Sequence, residues 1–373
     1  MSKGFVQFEL ERFMSIWENQ VDFNLSESGV HPLTVKELVQ EPAFVEELLS
    51  TPLGYPQSNG LIELRQAIAR LYAGASEDNI LVTTGCAQAN FTSVLTIMEA
   101  TDEIAVMLPN YMQIWGVSHN FGYKIRTFSL KEELEWGVDL DELERAVSSK
   151  TKMIAVVNPN NPTGHILTRE EMNVIVATAE RCGAWLLCDE VYAGAERVTD
   201  EFTPSFWGRY ERVVATGSLS KAYAMPGLRI GWIAGPAEVI NKAWAWQDYI
   251  TISTTMLANK LATYALSTEV RPRIIQRTRE YIRAGYQNFE KWYQKQDGMI
   301  SIVPPQAAAI AFARYHREVN SSELVRRLIQ NNAFVLPGDL FGLDHFLRIS
   351  FGLPADYLNE GLKRLEQVIR ECK

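Results

Sequence analysis

The chain is short of the residues that most often build disulfides and metal centres, with four cysteines and five histidines among 373 positions. Cys86, Cys182, Cys188 and Cys372 show no paired spacing, and Met1-Ser2-Lys3-Gly4 is followed by no apolar signal core. A disulfide-stapled secreted protein is therefore excluded, and a reducing compartment, the cytoplasm, is expected. His31, His119, His165, His316 and His345 are scattered without metal-ligand spacing. Positive charge is also scarce: 36 Lys and Arg against 45 Asp and Glu leave a net charge of -9, which removes the basic footprint that nucleic acid or an anionic membrane requires. No apolar run approaches membrane-spanning length. There is no G-x-x-x-x-G-K-[ST], no H-E-x-x-H and no G-x-G-x-x-G after a strand, and no internal repeat or low-complexity linker. Asn24, Asn90 and Asn320 begin glycosylation sequons, which are chance matches without a secretory signal.

With 47% hydrophobic and 22% charged residues, the chain has enough apolar material for one large and one smaller domain. Residues 5–49 carry amphipathic stretches on either side of the loop Asn24–Val30 and read as an arm. From Ile80 onward seven short apolar runs alternate with helix-length amphipathic segments: Ile80–Thr83, Ile104–Leu108, Lys124–Leu130, Met153–Val157, Trp185–Cys188, Val213–Ala215 and Ile230–Ala234. That alternation predicts an α/β fold, a mostly parallel seven-stranded sheet flanked by helices. Thr168 with Glu171, and Asn320 with Glu323, read as capping boxes. A long amphipathic helix is expected from about Arg271 to Gln296. Ser301–Val303, Ala308–Ala313, Phe334–Leu336 and Phe346–Ser350 are expected to form the sheet of a smaller α+β domain. The division predicted is 1–49 for the arm and part of the small domain, 50–255 for the large domain and 256–373 for the small domain.

The chemistry-bearing residues fall at the ends of those runs. Lys221 follows Val213–Ala215 and lies among Ser218, Ser220 and Arg229. A lysine at a sheet's carboxyl edge, partly desolvated, is less often protonated and can condense with an aldehyde. Hydroxyls and a guanidinium beside it suit a phosphate. An amine next to a phosphate cradle points to pyridoxal 5'-phosphate, and the competing reading is a surface lysine in a Ser/Gly turn. Asp189 closes the Trp185–Cys188 run, where a carboxylate can keep a pyridine nitrogen protonated or serve as a helix cap or metal ligand. Tyr192 follows three residues on. Asn161 sits in Asn158-Pro159-Asn160-Asn161-Pro162-Thr163-Gly164, able to offer its amide to a ligand oxygen or to make an ordinary turn. Thr84-Gly85-Cys86-Ala87 opens a helix whose backbone N–H groups can hold phosphate. Tyr111 offers an aromatic face. Arg348 interrupts the apolar run Phe346–Ser350, either to grip a carboxylate or to form a structural salt bridge.

Tyr55-Pro56-Gln57-Ser58-Asn59-Gly60-Leu61-Ile62-Glu63-Leu64-Arg65, Asn158–Gly164, Asp189-Glu190-Val191-Tyr192, Ser218-Leu219-Ser220-Lys221 and Gly227-Leu228-Arg229-Ile230-Gly231-Trp232 follow one another as they do in class I/II aminotransferases of fold type I, the pyridoxal-phosphate family that this chain resembles over nearly its whole length. The resemblance implies an enzyme that moves an amino group between an amino acid and a 2-oxoacid. Lys221 would form the Schiff base and shuttle protons, and Asp189 would partner the pyridine nitrogen. Asn161 and Tyr192 would bind the phenolic oxygen, and Tyr111 would stack on the ring. The backbone of Cys86 and Ala87 would hold the phosphate with Ser218, Arg229 and, from the second subunit of a homodimer, Tyr55. Arg348 would take the substrate carboxylate, with Gly29 lining the pocket. The same resemblance implies cis peptides before Pro109 and Pro162. The chain departs from the family at Cys86-Ala87, where a Ser, Thr or Asn pair is common.

The fold type also hosts lyases, decarboxylases and ring-forming enzymes, and Leu25–His31 resembles the matching stretch of capreomycidine synthase-like relatives. A pyridoxal-binding sensor is a further reading, opposed by the acidic balance and by a chain that opens directly on the arm. Trp246–Ser253 holds no arginine where dicarboxylate specialists of the family place one, which favours neutral or aromatic donors. Glu27 leaves a cationic substrate open.

Overall fold

Continuous apolar runs form strands when both faces of a sheet are covered, and the central strands here are buried along nearly their whole length. The computed structural model describes residues 4–372, so Met1, Ser2, Lys3 and Lys373 of the expected end segments lie outside the described residues. In chain order the strands are β1 Phe23–Asn24, β2 Ile80–Thr83, β3 Glu103–Leu108, β4 Lys124–Lys131, β5 Gly137–Val138, β6 Thr151–Val157, β7 Trp185–Asp189, β8 Val213–Ser218 and β9 Gly231–Ala234. Then follow β10 Ile300–Ile302, β11 Ile310–Tyr315, β12 Ala333–Phe334, β13 Leu336–Pro337 and β14 Phe346–Ser350.

Among the described residues, eight strands make one mixed sheet in the order β2-β9-β8-β7-β6-β3-β4-β5. The run from β8 to β4 is parallel, whereas β9 lies antiparallel between β8 and β2. The expected count of seven is corrected by β5, two residues that fold back antiparallel onto Leu130 and Lys131; so short a piece carries no period to read. Side chains alternate across the sheet into two apolar layers. Leu81, Val106, Leu187 and Val214 enter one, and Val82, Ala105, Leu186 and Ala215 enter the other.

A second, antiparallel sheet has the order β10-β11-β14-β13. The expected strand Phe334–Leu336 is instead split in two. Ala333 and Phe334 pair in parallel with Phe23 and Asn24 of the arm, while Leu336 and Pro337 pair with β14. The smaller layer therefore draws on both chain ends. Thr168 and Glu171 form the expected capping box of helix Arg169–Cys182. Asn320 caps helix Ser321–Gln330 by accepting from the N–H groups of Ser322 and Glu323, but the reciprocal bond is not made, because the Glu323 carboxylate pairs with Arg327 at 3.0 Å. The long helix spans Arg271–Tyr293.

These connections bring the carboxyl ends of β2, β3, β6, β7 and β8 to one edge of the large sheet, and β9 begins at that edge. Thr83 and Ser218 both stand opposite Gly231, and Val157 stands opposite Asp189. Ligands of open α/β sheets bind at such an edge.

Candidate functional site

The edge opens into a cavity of about 270 Å³, and ten of the twelve residues expected at the site line it: Lys221, Asp189, Tyr192, Asn161, Tyr111, Cys86, Ala87, Ser218, Arg229 and Arg348. Gly29 packs behind the wall, where a Cβ would stand 3.5 Å from the Lys221 side chain, and the lining at that point comes from Glu27 and Ser28. Tyr55 lies apart from the cavity with 85% of its surface exposed.

Lys221 leaves the turn after β8 and places Nζ 2.6 Å from Glu27 Oε1. Burial pulls its amine toward neutrality, but the Glu27 carboxylate and the Tyr192 phenol outweigh it and raise the pKa. The ammonium in turn holds the Glu27 carboxyl down at about 2, against the opposing pull of burial. The expectation of a lysine depleted of its proton is thus reversed, because an acid from the arm, 194 positions away in sequence, arrives beside it. The N–H groups of Ser28 and Gly29 fix the same carboxylate at 2.9 and 3.3 Å.

Asp189, at the tip of β7, is 4% exposed. Burial raises its pKa, while donors from Asn90 Nδ2 at 2.7 Å, the Val191 N–H at 3.1 Å and Cys86 Sγ at 3.5 Å favour the charged form. Asn90 is itself oriented by Thr216 Oγ1, which donates to its Oδ1 at 2.7 Å. Sequence reasoning passed over Asn90; its readable signal is the four-residue step from Cys86, which puts both on one face of helix Gly85–Ile97. Burial and the neighbouring Asp189 push the Cys86 thiol up, so it acts as a neutral donor.

The anion end is built of backbone and one arginine. Gly85 opens the helix at φ +78°, and a Cβ there would strike the Arg229 guanidinium. A Cβ at Gly231 would strike the Gly85 backbone and the Cys86 nitrogen. Arg229 takes the left-handed conformation, φ +53°, rare for a residue with a side chain, and donates to the Pro226 carbonyl at 2.8 Å. Ser218 Oγ accepts from the Ser220 N–H at 3.1 Å.

At the other end, Arg348 is 1% exposed and forms no ion pair with any carboxylate among the described residues. Its Nη1 donates to Asn161 Oδ1 at 3.0 Å, its Nη2 donates to the Ser26 carbonyl at 2.5 Å, and its Nε has no partner among the described residues. The structural salt bridge is therefore not the reason for this arginine. Tyr192 donates to Ser28 Oγ at 2.8 Å, and burial raises its pKa. Tyr111 donates to Glu11 and meets Phe8 edge-on at 5.1 Å between centroids. The peptides before Pro109 and Pro162 are cis, as is the one before Pro159.

The donor set fits pyridoxal 5'-phosphate. A glycine-walled helix N-terminus with Arg229 and Ser218 suits a dianion, a buried carboxyl surrounded by three donors suits a protonated ring nitrogen, and an amine lines the same cavity. Among the described residues no group of His, Cys, Asp and Glu is arranged to hold a metal ion, and no helix is long and apolar enough to cross a membrane.

Comparisons with known proteins give the family and the fold. The family model described as aminotransferase class I and II matches residues 19–365. Capreomycidine synthase of Streptomyces vinaceus is 28% identical over 361 residues, covering 93% of this chain and 90% of that protein. Aromatic-amino-acid aminotransferase 2 of Thermococcus litoralis is 28% identical, covering 88% of each. Among solved structures, a PLP-dependent aminotransferase from Streptococcus suis superposes with a TM-score of 0.93 at 26% identity, covering 100% of this chain and 99% of that one. Aspartate aminotransferase of Thermus thermophilus with maleate shares the fold, with a TM-score of 0.85 at 23% identity and coverage of 98% and 97%.

Proposed function

The chain belongs to the class I and II aminotransferase family, so its activity is amino-group transfer, and we propose that it exchanges an amino group between an amino acid and a 2-oxoacid in this cavity with pyridoxal 5'-phosphate bound and Lys221 as the working amine. The observation that carries the reading is the convergence of Lys221, Asp189 and the unpaired Arg348 on one cavity. When bound, the cofactor supplies an aldehyde carbon and an electron-withdrawing ring.

Everything else is the protein's work. Arg229, Ser218 and the N–H groups of Cys86 and Ala87 would bind the phosphate. Asp189, with Asn90 donating to it, would hold a proton at the ring nitrogen. Asn161 and Tyr192 would bind the phenolic oxygen, and Tyr111 would cover the ring face. Arg348 would bind the substrate's α-carboxylate, gaining a partner for its free Nε and a counter-charge for a buried guanidinium. The Glu27 carboxylate holds Lys221 Nζ in its ammonium form. As a neutral amine, Lys221 Nζ would accept the proton of the substrate's α-carbon and hold it for return, so that one base would serve both proton transfers.

The same reading includes a homodimer with composite sites. Leu49, Leu53 and Tyr55, at 78%, 83% and 85% exposure, and Tyr249 at 89% offer apolar surface for a second copy, from which Tyr55 would reach the partner's phosphate. It also keeps the division at residues 49 and 255 and a cytoplasmic location, the latter supported by four free cysteines. The test is a titration of pyridoxal phosphate into the ligand-free protein, followed by visible absorption. Lys221→Ala should still bind the cofactor but lose the shifted band and nearly all turnover. An unchanged spectrum and rate in that variant would overturn the assignment.

A further inference from the structure

One wall of the cavity carries more negative charge than the reaction as described uses. The arm helix Glu9–Trp17 and its capping residue Glu18 put Glu11, Met14 and Glu18 on a single face, three and four residues apart, and all three line the cavity. Met14 Sδ lies 3.9 Å from Arg348 Nη2, so this face roofs the carboxylate end of the site. Glu27 completes the wall from the segment after β1. The three acids feel one another: the Glu18 carboxyl is raised by burial and then by Glu27 and Glu11.

The charges can be assigned one by one. Arg229 answers a phosphate, Asp189 a ring nitrogen and Arg348 an α-carboxylate. Lys221 is the one cation paired with Glu27, and an amine that attacks a carbonyl carbon surrenders its ammonium charge. Glu11, Glu18 and Glu27 then face the substrate without a cation. A second observation fixes the substrate's orientation: Arg348, 1% exposed, lines the same cavity with Nε unpartnered among the described residues.

We propose that the amino donor is an α-amino acid whose side chain ends in a cation, a guanidinium or an ammonium, with its α-carboxylate on Arg348 and its distal charge on Glu11, Glu18 and Glu27. This deepens the amino-transfer reading and rests on it. An acidic side chain would meet three like charges, and a neutral one would leave them unanswered. The sequence favours neutral donors because Trp246–Ser253 holds no arginine, with Glu27 alone leaving a cationic one open; the fold adds Glu11 and Glu18 to Glu27.

The test compares donors of matched shape on the cofactor-loaded enzyme: L-arginine against L-citrulline and L-lysine against L-norleucine, by kcat/KM and by calorimetric affinity. At least one cationic member should exceed its neutral match by roughly 100-fold, the combined effect of charge-assisted hydrogen bonds to the half-buried Glu18 and Glu27 and the exposed Glu11. In E11Q/E18Q that ratio should fall to below about 10, and in the wild type it should shrink as salt rises. Neutral donors turned over as well as the cationic ones would overturn the proposal while leaving amino transfer intact. If no donor is converted yet arginine or lysine still binds in preference to its match, the acidic wall is upheld and the amino-transfer reading falls. No conversion and no preference would defeat both.

Discussion

Replacing Arg348 with methionine separates a functional arginine from a structural one. The native guanidinium is buried and, among the described residues, has no carboxylate partner. Replacing buried ion pairs by apolar side chains of similar volume is often neutral or stabilising by about 1–4 kcal/mol, and a lone buried guanidinium is relieved of the same kind of desolvation cost. Against this, Asn161 Oδ1 and the Ser26 carbonyl each lose a donor, at 3.0 and 2.5 Å, for about 1–2 kcal/mol apiece. The terms nearly cancel, so stability should stay within about 2 kcal/mol of the wild type, a thermal midpoint shift of a few degrees at most. Activity should not be spared. A substrate carboxylate would lose two charge-assisted hydrogen bonds worth about 1.5–3 kcal/mol each, which lowers kcat/KM by roughly a hundredfold to ten-thousandfold. Scanning fluorimetry on the ligand-free protein gives the first quantity, and initial rates over a range of donor concentrations give the second. A midpoint lowered by more than about 10 °C, with near-normal kcat/KM in the protein that remains folded, would refute the reasoning and return Arg348 to a structural role.

Asn90→Ala removes the 2.7 Å donor to Asp189, so burial should drive that carboxyl higher still; pyridoxal phosphate affinity should weaken about tenfold, more at pH 6 than at pH 8, and equal affinities by fluorescence titration would contradict the role given to Asn90. Glu190 has its carboxyl raised to about 7 by burial, although Ser205 Oγ and the Phe206 N–H donate to it. The folded protein therefore retains this proton where the unfolded chain has lost it, and the group's contribution to stability declines as pH rises from about 4.5 to 7. Glu190→Gln should remove that decline and gain on the order of 2–3 kcal/mol at pH 8 relative to pH 4.5; denaturant midpoints that differ equally from the wild type at both pH values would count against it. Mixing Tyr55→Phe with Lys221→Ala should form hybrid dimers with one intact site and bring activity toward roughly a quarter of the wild-type value. Activities that merely average would place Tyr55 outside its partner's site.

Much of this was legible because one physical rule links sequence to site: a parallel sheet covered on both faces is written as apolar runs, and the residues just past them gather at one edge. Lys221, Asp189, Asn161 and Cys86 were found that way, each at the end of a run. The rule fails where contacts are brought by other means. β5 is two residues long, and the segment 333–337 is divided between partners from different parts of the chain. Asn90 lies inside a helix and not at its mouth. Glu11 and Glu18 belong to the arm, and no local pattern announces that an amphipathic helix will roof a cavity assembled from residues 86 to 348. The protonation of Lys221 was misjudged for the same reason. Burial was readable from its surroundings in sequence, but the carboxylate that overrides burial was not.

The central claim is that Lys221 carries the cofactor. Reducing the pyridoxal-phosphate-loaded protein with borohydride fixes any lysine-bound cofactor in place, and digestion with mass spectrometry then locates it. The account predicts the added mass on the peptide containing Lys221 and its loss when the enzyme is first converted by an amino donor. Labelling of a different lysine, or a loaded and active enzyme with no labelled lysine, would contradict it.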